Sequence, residues 1–336
     1  SKYTGEASIL AILMMIFGVA ILLLNQISVK SRKSYTTVTG KSGQISKFNL
    51  GRSGKYIIAI ILIIITFFTS IFPIVSFAFE TFLPNPGDYS FLYTGDPDNL
   101  TTKWWVTNEN ITENGMYGQQ GILYNDMIWH AYKGTIMVSV CCALTAGTIG
   151  TLIGYAVSKN RRSRWANYVN SMAFLPYLMP SIAVGVAFFI LFSNKYVNLF
   201  NTYALLIIVG TVKYIPFASR SSLNSMLQLS GEIEEAAIIQ DIPWTKRMTR
   251  IIIPIQKTSI ISGYLLPFMT CLRELSLFIL LCVQGFILST TLDYFDEMGL
   301  YAFSSGINLI LIVTILICNA LVNKATGASL DKGIGG

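Results

Sequence analysis

Seven apolar runs divide this 336-residue chain, and their lengths restrict its fold more than any other property. They cover residues 7–24, 56–79, 134–157, about 172–192, about 200–217, 258–283 and 306–322. A helix crosses the hydrocarbon core of a bilayer with roughly 17–25 residues, so each run is long enough to span. Lipid offers no hydrogen bonds to the backbone, and a segment that satisfies all its own N–H and C=O groups is a helix. The expected class is therefore all-α, a multi-pass bundle of six helices preceded by one further span. Composition agrees, with 53% hydrophobic and 12% charged residues against roughly 25% charged in soluble proteins.

The charges between the runs set an orientation. Residues 30–55 carry seven Lys or Arg and no acid, and residues 159–164 read KNRRSR. Residues 80–133 hold seven acids against two lysines, and residues 284–305 hold Asp293, Asp296 and Glu297 with no basic residue. Basic loops stay in the cytoplasm, so every loop fits one alternating topology with the N-terminus outside and the C-terminus inside. The resulting division is a first span in residues 1–29, a basic linker at 30–55, a transmembrane domain at 56–325 with an outer loop at 80–133, and a tail at 326–336. Nothing strongly basic precedes the first run and no small-residue cleavage site follows it, so it reads as a span and not a secretory signal. A net charge of +7 is spread between apolar runs, which argues for a membrane and against nucleic acid as the partner.

One stretch stands out between the apolar runs: residues 231–254, GEIEEAAIIQDIPWTKRMTRIIIP. Glu232, Glu234 and Glu235 open it and Lys246, Arg247 and Arg250 lie near its end, the charge order that suits helix dipoles. Asp241 and Pro243 interrupt the middle, which predicts two short helices joined by a sharp turn, with Asp241 capping the second and Pro243 in its first turn.

This stretch resembles the EAA loop of ATP-binding-cassette importer permeases, whose pattern is Glu-Ala-Ala, three residues, Gly, nine residues, then Ile-x-Leu-Pro. Glu235, Ala236 and Ala237 are followed at those spacings by Asp241, Ile251, Ile253 and Pro254. Asp241 stands in place of the glycine, which supplies a positive φ that Asp tolerates only with strain. Residues 215–237, IPFASRSSLNSMLQLSGEIEEAA, resemble the approach to that loop, and the YTTVTGKSG linker resembles fused iron-type permeases. The resemblance implies a six-helix permease core in a bacterial inner membrane, and a chain that is or descends from the C-terminal half of a tandem permease. It implies that Glu234, Glu235, Ala236, Ala237, Asp241, Ile251, Ile253 and Pro254 form the coupling loop of a cytoplasmic ATP-binding subunit dimer. It further implies a second permease half and an extracytoplasmic substrate-binding protein, with membrane lipid around the bundle. No Gly-x-x-x-x-Gly-Lys-Ser/Thr phosphate loop occurs in the sequence, so ATP and Mg are expected on the partner and no cofactor in this chain.

Chemistry for transport has few candidates. Pro176 and Pro180 in FLPYLMPSIAVG break the fourth run, and irregular backbone at membrane depth survives only inside protein or along a cavity. Arg273, Glu274 and Ser276 sit near the middle of the sixth run in LRELSLFILL, where a lone charge costs about 2.5–3.5 kcal/mol and so faces a partner or a water-filled cavity. These five residues are the expected translocation-path positions; structural ion pairing is the alternative for the two charged ones. Lys213 is expected to snorkel to the cytoplasmic face. Ala146, Gly150 and Gly154 repeat every four residues and predict a close helix–helix contact. Trp104, Trp105 and Trp129 suit the membrane interface or a docking surface. The single histidine, His130, excludes a His-based metal site, and the five cysteines lack CxxC spacing and read as buried apolar residues.

The expected function is the permease subunit of an importer moving a small solute, with ferric iron first and phosphonate, polyamine or thiamine as other cargoes. A secondary transporter requires inverted repeats with matching broken helices, which the sequence lacks. An intramembrane enzyme requires a paired catalytic set at bilayer depth, which one loop histidine does not supply.

Overall fold

A computed structural model of the chain describes residues 51–90, 93, 100–111, 118–194, 196–229 and 231–326, with isolated helical positions at 9, 12, 13, 16 and 20. The first span and most of the basic linker lie outside the described residues. The described residues are all-α, with two isolated bridges, Ile111 to Gln119 and Ser193 to Asn198, as their only β pairings.

Helix α1 runs over Gly51–Thr66, passes a π-helical turn at Phe67–Ile71 and continues over Phe72–Glu80. Its most apolar window is unburied by the rest of the described chain, the exposure expected of a helix facing lipid. After the outer loop, with its short helix α2 at Lys103–Val106, come α3 (Asp126–Lys159), α4 (Arg164–Leu178), α5 (Ser181–Phe192) and α6 (Tyr203–Gln228). The charged stretch forms α7 (Gly231–Ile239) and α8 (Trp244–Ile255, with a π-helical turn at Met248–Ile252). Helices α9 (Lys257–Leu272), α10 (Leu288–Glu297) and α11 (Tyr301–Thr326) complete the chain.

Among the described residues four helices are long and apolar enough to cross a membrane, and six crossings result if α4 with α5 and α8 with α9 each count as one bent span. The bends are 101° and 85°. The fourth run is broken as its prolines predict, since the backbone leaves α4 after Leu178 and restarts at Ser181. One expectation changes here. The sixth run is not a helix over 258–283, because α9 stops at Leu272.

Residues 273–287 explain themselves by burial. Leu277, Phe278, Leu281, Cys282 and Ile287 belong to the main core cluster with Val138, Cys142, Leu205, Leu206 and Tyr214. The segment packs into the core between helices, and composition alone does not separate that case from a helix facing lipid. Its backbone is satisfied from neighbours: Val283 N donates to Asn201 Oδ1 at 3.1 Å, Asn201 N to Leu281 O at 3.0 Å, and Ser289 Oγ to Glu274 O at 2.8 Å. Irregular backbone is tolerated at such a depth only with this enclosure. Gly185 makes it possible, since a Cβ there would lie 2.7 Å from Leu277 O.

The small-residue face of α3 packs on α6 as the spacing predicts. Ala146, Gly150 and Gly154 are buried. A Cβ on Gly150 would meet Ala218 Cβ at 2.5 Å and Ser219 N at 2.7 Å, and one on Gly154 would meet Leu223 N at 2.7 Å. Gly150→Ala is therefore expected to push α3 off α6 at a cost of about 1–3 kcal/mol, read as a lower midpoint of thermal unfolding in detergent.

Two further expectations about the outer side divide. Trp104 is not interfacial: it is 1% exposed, donates Nε1 to Leu83 O at 2.7 Å and meets Phe303 edge-on. His130 is a structural hydrogen-bond partner, with Nδ1 3.0 Å from Gly285 O. All five cysteines are free thiols, three buried and two half-buried.

Candidate coupling loop and transport path

The loop begins where α6 ends. Gln256, at the bend into α9, accepts from Ser225 Oγ through Oε1 at 2.6 Å and donates Nε2 to Ser225 O at 3.0 Å. That reciprocal pair ties the last turn of α6 to the far end of the loop. Between them α7 and α8 form the expected helix–turn–helix, but the capping differs from expectation. Asp241 lies in the turn with φ +54°, the left-handed conformation the glycine position demands, and is not the cap of α8. Pro243 occupies the N-cap position itself and not the first turn, with extended backbone. Restoring the glycine removes that strain, so Asp241→Gly is expected to raise the unfolding midpoint by the equivalent of about 1 kcal/mol.

The neighbouring acids Glu234 and Glu235 point opposite ways. Glu234 is 4% exposed and faces the end of α3, where it accepts from Tyr155 Oη at 2.5 Å, pairs with Lys159 Nζ and lies 3.8 Å from Arg247 Nε. Burial pushes its carboxyl up, but the bonds from Lys159 and Tyr155 and the charges of Lys159 and Arg247 outweigh this and hold it below the ordinary carboxylate value. Glu235, Ala236 and Asp241 are exposed, whereas Ala237 is buried. Ile238, Ile239 and Trp244 are also exposed, Ile239 at 83%.

The end of the motif serves the bundle. Ile252 is buried with Met226, Met248 and Ile260, and Ile253 packs against that cluster. Ile251 is half-buried, and Pro254, exposed, sits in the last turn of α8 just after the π-helical turn. Ile251, Ile253 and Pro254 thus form the hinge where α8 bends into α9, while Glu235 and Ala236 face outwards.

Only part of the expected path comes together. A cavity of about 390 Å³ between α4, α5, α6 and the end of α9 is lined by Tyr177, Met179, Pro180, Ser181, Lys213, Tyr214, Phe217, Thr270 and Glu274. Glu274 sits just past the end of α9, not mid-helix, and accepts from Tyr214 Oη at 3.1 Å and from Leu277 N at 3.2 Å. Arg273, the C-cap of α9, is exposed, as is Ser276, and neither lines this cavity. Pro176 lies inside the last turn of α4. Lys213 does not snorkel. It is 8% exposed and donates Nζ to Pro176 O at 3.0 Å and Met179 O at 2.6 Å.

Comparison with known proteins decides the family. The family described as "Binding-protein-dependent transport system inner membrane component" matches residues 146–328, more than half of the chain. The chain belongs to that family. This permease is 22% identical over 278 residues to a ferric transport system permease protein of Actinobacillus pleuropneumoniae, an alignment covering 82% of this chain and 37% of that one. It is 26% identical over 204 residues to the putrescine transport system permease protein of Escherichia coli K12, covering 58% of this chain and 68% of that one. The permease thus spans less than half the length of the curated ferric relatives it matches. Its fold is similar to a chain from the crystal structure of a bacterial ABC transporter involved in the import of the acidic polysaccharide alginate, with a TM-score of 0.58 and 17% identity over 82% of this chain and 98% of that one.

Proposed function

We propose that this permease is the membrane subunit of an ATP-driven importer, and that residues 231–254 are the surface on which a cytoplasmic ATPase dimer acts. The observation that carries the reading is the two-sidedness of α7. One side is tied to the bundle through Glu234, and the other presents Glu235, Ala236, Ile238 and Ile239 to solvent. A helix that exposes neighbouring isoleucines gains by covering them with a partner. The cytoplasm is the side of this loop, because Lys159 to Arg164 lie beside it and form the basic turn. On this reading the C-terminus lies inside and the first span enters from outside.

Closure of the ATPase dimer on ATP draws the coupling loops together, and the Ser225–Gln256 clamp and the Glu234 cluster pass the movement to α6, α9 and α3. The spans then reorient around a path shared with a second permease half, and hydrolysis resets them. An extracytoplasmic binding protein supplies the solute and most of its affinity. Ferric iron is the favoured cargo, supported by the ferric relatives that align over 82% of the chain, with polyamine next through the putrescine relative.

Purification of the tagged chain from its native membrane in mild detergent tests this. An ATP-binding subunit that co-purifies and hydrolyses ATP supports the reading. A chain that purifies alone and moves solute into vesicles without ATP overturns it.

A further inference from the structure

We propose that Lys213 is a positioning residue of the transport path, holding the break between α4 and α5 in place against a fixed counter-charge at Glu274. The inference rests on the reading of this cavity as part of the path. It begins with a missing donor. In a continuous helix the Pro176 carbonyl would accept from the N–H of residue 180, but that residue is Pro180 and has none. The Met179 carbonyl would accept from Ala183 N, but that N–H turns to Pro180 O at 3.0 Å. Two carbonyls are thereby released at the C-terminal end of α4, where the aligned peptide dipoles already leave partial negative charge. Lys213, one helix away on α6, fills both with one ammonium.

Glu274 completes the arrangement from the third side. It lines the same cavity as Lys213, and its carboxylate is fixed by Tyr214 Oη and Leu277 N. The ammonium neutralises the released carbonyls and also offsets that carboxylate. Removing it leaves the half-buried Glu274 carboxylate without its counter-charge and two carbonyls without a donor, and the break loses the contact that holds it to α6. The guanidinium of Arg220 over the Phe174 ring, 4.5 Å away, and the edge-on pair of Tyr177 with Phe217 hold α4 to α6 elsewhere, so α4 stays packed without Lys213. What moves is the break.

The test uses the assembled transporter in proteoliposomes and the thiol of Ser181→Cys, which lies on the cavity wall. A charged, membrane-impermeant thiol reagent is the probe, with labelling counted above that of the wild-type chain and compared without nucleotide and with ATP plus vanadate. Labelling of Ser181→Cys is expected to differ between the two states. Adding Lys213→Met is expected to shrink that difference at least about tenfold, within the usual range of coupling between sites. Adding Lys213→Arg is expected to keep it, and adding Glu274→Gln to Lys213→Met to recover part of it. The amount of assembled complex is expected to stay unchanged throughout. If Lys213→Met does not assemble, the same measurement on Lys213→Gln, which keeps a donor, decides. Loss of assembly in both variants overturns the assignment in favour of a purely structural lysine. State-dependent labelling that Lys213→Met leaves intact overturns it while sparing the path. A Ser181→Cys thiol that is never labelled overturns the path reading, and this one with it.

Discussion

Glu235→Arg is expected to abolish ATP-driven uptake while the chain inserts, folds and assembles its transmembrane core. Glu235 is exposed on α7 and its removal unmakes no contact among the described residues, because the anchoring acid is its neighbour Glu234. The substitution reverses a charge at the centre of a short helix. It also reverses the charge offered to whatever docks on the surface formed with Ile238 and Ile239. Like charges brought together at an interface cost several kcal/mol, enough to lower occupancy by more than about a hundredfold. The chain should therefore elute as wild type does in size-exclusion chromatography but without the ATPase. Uptake in membrane vesicles should fall to the level without ATP. Normal uptake by this variant would remove the loop from the mechanism.

The long helices, the glycine face of α3 and the strained turn at Asp241 were all legible in the sequence, because each rests on a local rule. Run length gives a span, four-residue spacing of small residues gives close approach, and a glycine position predicts positive φ. Three features were not legible, and each depends on a partner far along the chain. Residues 273–287 read as a helix because periodicity cannot separate an apolar run facing lipid from one enclosed by helices. Trp104 read as interfacial, since only the fold brings Leu83 and Phe303 to it. The inward turn of Glu234 and the outward turn of Glu235 depend on where α3 ends, which the loop's own sequence does not say.

Lys213 is the instructive case. A lone lysine near the end of an apolar run reads as snorkelling, which is the ordinary solution. A signal for the other outcome was present in the four-residue spacing of Pro176 and Pro180, which guarantees one carbonyl without its helical donor. An unmet acceptor and an unpaired donor in neighbouring runs imply one another, and that pairing is a reading sequence patterns permit.

Glu234→Ala is expected to fail differently from Glu235→Arg: the ATPase remains bound but its hydrolysis no longer drives uptake. The exposed face of α7 is untouched, so docking survives. What is lost is the tie between α7 and the end of α3, leaving Lys159 and Arg247 facing each other without the carboxylate between them. Breaking a buried pair costs several kcal/mol, but the Lys159 side chain is 37% exposed and water screens it, so a loss of about 1–3 kcal/mol is expected. Hydrolysis per transported solute should rise at least about tenfold, in line with a lost coupling of that size. Acid separates this tie from the rest of the fold. The folded carboxyl of Glu234 titrates below its ordinary value, so its stabilisation is complete above that ordinary value and fades as the pH falls through the lowered one. The unfolding midpoint of the wild-type transporter in detergent should therefore drop over that acid window by more than that of Glu234→Ala, which has already lost the contribution. Equal acid dependence in the two proteins would mean that Lys159 and Tyr155 do not hold the loop, and that movement reaches the spans only through the Ser225–Gln256 clamp.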